Sequence, residues 1–161
     1  MKTTSKQLPI ILKSHLNLLS IIIYLWKRSE LLQLFTICIL TEKCLLPEFL
    51  VGREGEFDIL AASVVKRVKK QMDYANCSLI WVLPYMKAEF RDNEKNFLEY
   101  YDDVEVCEQS SKAHFKSAMQ IRNRAMVDRS DLVICCIQHK SGGAYKTVQY
   151  AEKQDKNIFA L

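Results

Sequence analysis

From Pro47 onward, apolar and polar positions group into blocks that read alternately as strands and helices. Glu48-Phe49-Leu50-Val51-Gly52 is a short apolar strand ending in glycine. Phe57 to Met72 has helical spacing (Phe57, Leu60, Ala61, Val64, Val65, Val68), with Lys66, Arg67, Lys69 and Lys70 on the solvated face and near the carboxyl end that the helix dipole favours. Ser78 to Leu83 (SLIWVL) is a strand stopped by Pro84, and Lys87 to Asp103 is a polar and aromatic loop or irregular helix. Val104 to Cys107 reads as a short strand and Lys112 to Arg129 as a helix. Asp131 opens LVICCI, which is too short for a membrane span and reads as a strand buried on both faces. A Ser141-Gly142-Gly143 turn, a helix over Ala144 to Lys153 and a closing strand complete the chain. This alternation predicts an α/β fold, a mainly parallel sheet with helices on both faces. Ligands of such sheets bind at the strand carboxyl ends, here Gly52-Arg53-Glu54, Pro84-Tyr85 and His139 to Gly143.

Residues 1–47 follow a different pattern. They contain no glycine and carry two apolar runs, LNLLSIIIYLW (16–26) and LLQLFTICIL (31–40). Each is well short of the ~20 residues a spanning helix requires. Lys27, Arg28 and Glu30 separate them, and no small-residue cleavage site follows the first. An amphipathic or buried helical pair is the favoured expectation over membrane association. The chain thus divides into an atypical apolar, helical segment (1–47) and a domain (48–161).

Composition narrows the picture. With 161 residues, 49% hydrophobic and 26% charged, the chain is long enough to bury a core without disulfides. A net charge of +4 is too mild and too evenly spread to argue for nucleic-acid binding by itself. Six cysteines (38, 44, 77, 107, 135 and 136) form no CxxC pair and read as reduced core residues of a cytoplasmic protein. The adjacent Cys135 and Cys136 point to opposite faces of their strand. Histidines 15, 114 and 139 are too scattered for a zinc site.

The chemistry concentrates at the strand ends. Gly142 and Gly143, with the Ser141 hydroxyl as N-cap, offer backbone N–H groups to an anion. His139 either offers a ring nitrogen to a phosphate or is a solvated loop residue, and Lys140 and Lys146 add positive potential. Glu54, Glu56 and Asp58 either complement the helix dipole or recognise ribose hydroxyls or a base edge. Tyr85 either stacks on a base or packs. Arg122 and Arg124 lie two positions apart on a helix, so both cannot face one phosphate.

Four stretches, FLVGREGEFD (49–58), WVLPY (81–85), IRNRAMVDRSDLVICCI (121–137) and SGGAYKTVQYA (141–151), resemble in order the YspA/YpsA-like branch of the SLOG superfamily. That superfamily groups Rossmann-like domains related to DprA/Smf and to the LOG phosphoribohydrolases. The resemblance covers about residues 48–161. It implies a Rossmann-like domain that binds nucleotides or nucleotide-derived ligands, and it brings Arg122 and Asn123 into the candidate site. The ligand-binding set is then Gly52, Arg53, Glu54, Asp58, Tyr85, Arg122, Asn123, His139, Ser141, Gly142 and Gly143, with no catalytic residue, metal or cofactor.

Two departures stand out. Family domains open with a strand ending in a Gly-His-Arg-like turn, absent before Phe49, so the first strand is expected to be missing or replaced. LOG enzymes place a glutamate beyond the Gly-Gly turn where this chain has Gln149, which cannot serve as the carboxylate. The functional expectation is therefore a sensor or regulatory module for a small nucleotide-derived ligand, without direct nucleic-acid binding. The alternatives are an N-glycosidic hydrolase or transferase, or a degenerate copy. An exposed sheet edge would leave homo-oligomerisation open.

Overall fold

The computed structural model describes residues 20–24, 33, 36, 47–73, 76–135, 137 and 139–161, the first of these segments as backbone only. Strands β1 (Ser20–Tyr24), β2 (Glu48–Val51), β3 (Ser78–Leu83), β4 (Asp103–Val106), β5 (Leu132–Cys135) and β6 (Asn157–Ala160) form one sheet in the order β4-β3-β2-β1-β5-β6. Each neighbouring pair is parallel. Between the strands run helices α1 (Glu56–Gln71), α2 (Ala88–Asp92), α3 (Glu94–Tyr100), α4 (Glu108–Ser111), α5 (Phe115–Arg129) and α6 (Gly142–Lys153). The fold is Rossmann-like. The chain builds outward from β1 to β4 and then crosses back to lay β5 and β6 on the other side. That reversal opens a crevice between the carboxyl ends of β1 and β5.

The two faces of the sheet follow the period of two along each strand. Phe49, Val51, Leu79, Trp81, Leu83 and Ile134 pack with Phe57, Ala61, Val64, Val65 and Val68 of α1. Leu50, Ile80, Val82 and Val133 pack on the opposite face with Met126 and Val127 of α5 and Ala151 of α6. Both faces are covered, which is why these strands read as unbroken apolar runs.

The predicted elements from Glu48 onward are present with small shifts. Lys87 to Asp103 resolves into two short helices, α2 and α3, and the helix expected from Lys112 begins at Phe115 after the separate turn of α4. β1 is the main difference. The position of a first strand is filled by Ser20–Tyr24, hydrogen-bonded to β2 (Ile21 opposite Phe49) and to β5 (Ile22 opposite Val133). Within 16–26 the helical reading therefore gives way to strand at these five residues. Three consecutive isoleucines are stiff at χ1 and favour an extended backbone. Gln33 and Thr36 are helical, and Thr36 is buried. The remaining expectations for 1–47, including Cys38, Cys44 and His15, lie outside the described residues, as does that for Cys136. Cys77, Cys107 and Cys135 remain thiols.

Candidate functional site

Glu54 follows β2 and meets Arg122, which α5 brings from 68 residues away: Arg122 Nη2 donates to Glu54 Oε2 at 2.6 Å. Lys87, just beyond β3, donates to the other oxygen, Oε1, and the backbone N–H of Arg53 reaches Oε2 at 3.2 Å. Burial works to raise the Glu54 pKa, but the Arg122 charge and the Lys87 hydrogen bond outweigh it and hold the carboxyl below its usual range.

Arg122 is 2% exposed. Its other hydrogen-bonding contacts are to thioethers, Nη2 to Met119 Sδ at 2.8 Å and Nη1 to Met126 Sδ at 3.5 Å. Its Nε has no hydrogen-bond partner among the described residues. Thioether sulfur is a weak acceptor, so among the described residues this buried cation has one strong hydrogen-bond acceptor, the Glu54 carboxylate.

Asp58 and Gly52 frame the guanidinium. Asp58 Oδ2 accepts the N–H groups of Glu54 and Gly55 at 3.2 and 3.3 Å, closing the turn between β2 and α1. Burial pushes its pKa up to about 6, against the opposing pull of Arg122. A Cβ at Gly52 would lie 2.5 Å from Arg122 Nη1 and 2.6 Å from Asp58 Oδ2. Glycine suits this position because a side chain there would intrude on the charged pair.

The second cluster lies at the start of α6. Asn123, 3% exposed, donates through Nδ2 to Thr147 Oγ1 at 3.3 Å, and Thr147 donates to the Gly143 carbonyl at 3.0 Å. Gln120 donates to the same carbonyl at 3.4 Å. Three residues of two helices thus fix the turn. Asn123 Oδ1 has no partner among the described residues. The positive φ falls on Gly142 (88°), where a side chain would be strained. Ser141 occupies the N-cap, but its hydroxyl makes no capping hydrogen bond, leaving it and the glycines exposed. His139, Lys140 and Lys146 are exposed around the turn.

The remaining candidates separate from these clusters. Arg53 turns toward α2 and α3, where it pairs with Glu89 and lies 4.7 Å from the Phe97 ring and 5.5 Å from Trp81. Tyr85 is 38% exposed beyond β3, next to Met86 at 50%. Arg124 diverges from Arg122 and lies over Tyr150. Gln149 is exposed, on the far side of α6 from Thr147. Sequence reasoning missed Lys87, Met119, Gln120 and Thr147. Lys87 could have been found by its place just after the Pro84-Tyr85 strand end, and Thr147 by its spacing of one helical turn from Gly143, which lets a threonine hydroxyl reach back to that carbonyl. A groove of about 390 Å³ opens elsewhere, beside the end of α1, among Lys66, Lys69, Leu98 and Tyr100. Its Lys66 and Lys69 are engaged by backbone carbonyls and by Asp102. Among the described residues no group of His, Cys, Asp and Glu could hold a metal ion, and no helix is long and apolar enough to cross a membrane.

No family model and no curated protein matches the chain. Among solved structures it is similar to DNA processing protein A from Helicobacter pylori, described for its single-stranded DNA binding mode. Identity is 18% and the TM-score 0.56, over 88% of this chain and 64% of that one. The chain therefore spans less than two thirds of the neighbour's length, and the likeness is one of fold. The neighbour belongs to the SLOG superfamily that the sequence motifs resemble.

This finding corrects two expectations. The reading as a sensor of a small nucleotide-derived ligand, with a glycosidic hydrolase or an inactive copy as alternatives, and the exclusion of nucleic acid as a direct partner both conflict with a neighbour of this fold that binds single-stranded DNA. The physical reason is that net charge averages over the whole surface, whereas a strand is held by the local potential and aromatic faces of one edge.

Proposed function

We propose that the chain binds single-stranded DNA along the carboxyl edge of its sheet. The observation that carries this reading is the exposure of two separated features on that edge, in a fold shared with a protein that binds such DNA. One is the Ser141-Gly142-Gly143 turn with His139, Lys140 and Lys146, and the other is Tyr85 with Met86. β3 and β5 are three strand spacings apart in the sheet, roughly 14 Å. An oligonucleotide spans that distance and a single nucleotide does not. In this reading the turn and its cations hold phosphates, and Tyr85 stacks on a base. Gly52, Arg53, Glu54, Asp58, Arg122 and Asn123 shape the edge between them. We further assign the chain to the YspA/YpsA-like branch on its four ordered motifs, take 48–161 as supplying the side chains of the edge with β1 as the strand that joins its two halves, and place the protein in the cytoplasm.

Fluorescence anisotropy of a labelled oligothymidylate tests the reading. Binding is expected to weaken linearly in log affinity with log salt, and the Lys140→Ala/Lys146→Ala pair to lower that slope by about 1.4. Tyr85→Ala should weaken binding by about 1–3 kcal/mol with the slope unchanged. Absence of binding at low salt, or variants indistinguishable from the parent, would overturn it.

A further inference from the structure

We propose that Glu54 is a built-in phosphate mimic: its carboxylate occupies an anion subsite formed by Arg122, Lys87 and the Arg53 backbone N–H, from which a phosphate of the bound strand displaces it. The proposal rests on the single-stranded DNA reading for the identity of the ligand, but the subsite is argued from its own geometry.

Three donors from three parts of the chain converge on one carboxylate. Lys87 takes Oε1, while Arg122 Nη2 (2.6 Å) and the Arg53 N–H (3.2 Å) share Oε2. A guanidinium, an ammonium and a backbone N–H around one tetrahedral or planar anion make the donor set that recognises phosphate. The carboxylate does not saturate it. Arg122 directs two further contacts at the thioethers of Met119 and Met126, and its Nε is without a partner among the described residues. A strand phosphate offers two anionic oxygens, as the carboxylate does, and so can answer the same three donors, while inorganic phosphate brings oxygens to spare.

The exchange is also sterically one-sided. The Arg122 side chain is 3% exposed and Glu54's is 28% exposed. The cation cannot follow its partner into water. The guanidinium fills space left by the missing side chain of Gly52, where a Cβ would come within 2.5 Å of Nη1. Glu54, on the turn after β2, can rotate outward and be hydrated. The buried charge therefore trades one anion for another and stays paired, avoiding the large penalty of an isolated buried cation. Asp58 stays beside Arg122 throughout, tied to two backbone N–H groups.

The test uses the full chain with inorganic phosphate as the probe, followed by ³¹P NMR titration and thermal melting. Glu54→Gln keeps the shape and removes the competing charge, so phosphate should bind it about tenfold more tightly than the parent and raise its Tm further. Adding Lys87→Gln should take that gain away. Equal phosphate affinity in parent and Glu54→Gln, or a gain indifferent to Lys87→Gln, overturns the proposal. Where Glu54→Gln is less stable, recovery of its melting temperature by phosphate supports the subsite, and failure to recover refutes it. Oligothymidylate binding separates the two readings. A phosphate gain without DNA binding in either chain retains the subsite and removes the DNA assignment; DNA binding without the phosphate gain does the reverse.

Discussion

Arg122 and Arg129 lie seven residues apart on α5, about two turns along nearly the same stripe, yet the fold uses them in opposite ways. Arg129 is surrounded by oxygen: it reaches both oxygens of Glu105 at 2.5 and 3.2 Å and Glu48 at 2.7 Å, with 40% of its side chain in water. The Glu105 hydrogen bonds, helped by Glu48, raise its pKa further above an already high value. It staples the first residue of β2 to β4 across β3. Arg122, in the middle of the helix, is dry and among the described residues is hydrogen-bonded to one carboxylate and two sulfurs, with an orphaned Nε. A clamp is finished when its hydrogen bonds are made; a site keeps donors in reserve. Burial separates the two residues, and the chemistry of their acceptors separates the two roles.

The contrast predicts unequal responses to substitution. Arg122→Met should lose about 4 kcal/mol of stability by chemical denaturation, because half-buried Glu54 is left with Lys87 and the turn. Salt should change that loss little. A loss below about 1 kcal/mol would place Arg122 in the same class as Arg129.

The next effect is one of pH. Asp58, moved from an ordinary 3.8 to about 6, binds its proton more tightly in the folded chain than in the unfolded one. The stability it contributes is full below about pH 4, falls as pH rises to about 6 and is flat above. The total is about 2–3 kcal/mol. Glu54, held low, works in the opposite sense and loses its contribution only in more acidic solution. Urea melts of parent and Asp58→Asn across pH 4 to 7 should show the decline in the parent and its absence in the variant.

Arg129→Ala should have the smallest effect, about 1 kcal/mol at low salt and less at high salt, since its carboxylate partners remain partly in water. Thermal melts at two ionic strengths measure it. Salt-independence would mean that the staple is a packing feature.

What could be read from the chain beforehand depended on how local each signal was. β3 matches SLIWVL because an apolar run meets a proline, and α1 shifts by one residue because a single apolar stripe with basic carboxyl-terminal residues defines it. β1 was hidden in an all-apolar stretch, where a strand covered on both faces and a buried helix share one pattern. In the site, Gly52, Glu54, Asp58 and Arg122 were each marked by their motifs. Their union was not legible, since the Glu54–Arg122 pair spans 68 residues and depends on which helix crosses which strand end. Lys87 sat at the start of a segment read as a loop or irregular helix, and Met119 looked like any apolar helix position. Arg53 carried the charge a site would want, but the aromatic cluster of Trp81 and Phe97 claims it. Aromatic content in sequence does not say which cation it will hold.

Asn123 follows Arg122 directly on α5, and the two side chains leave the helix about 100° apart. One reaches the turn after β2 through Glu54, and the other reaches the turn after β5 through Thr147. The separation between the two halves of the edge is therefore set by a single peptide unit of rigid helix. The edge carries its own ruler: loops on either side can change in length and sequence without altering the spacing at which a bound strand must present its groups.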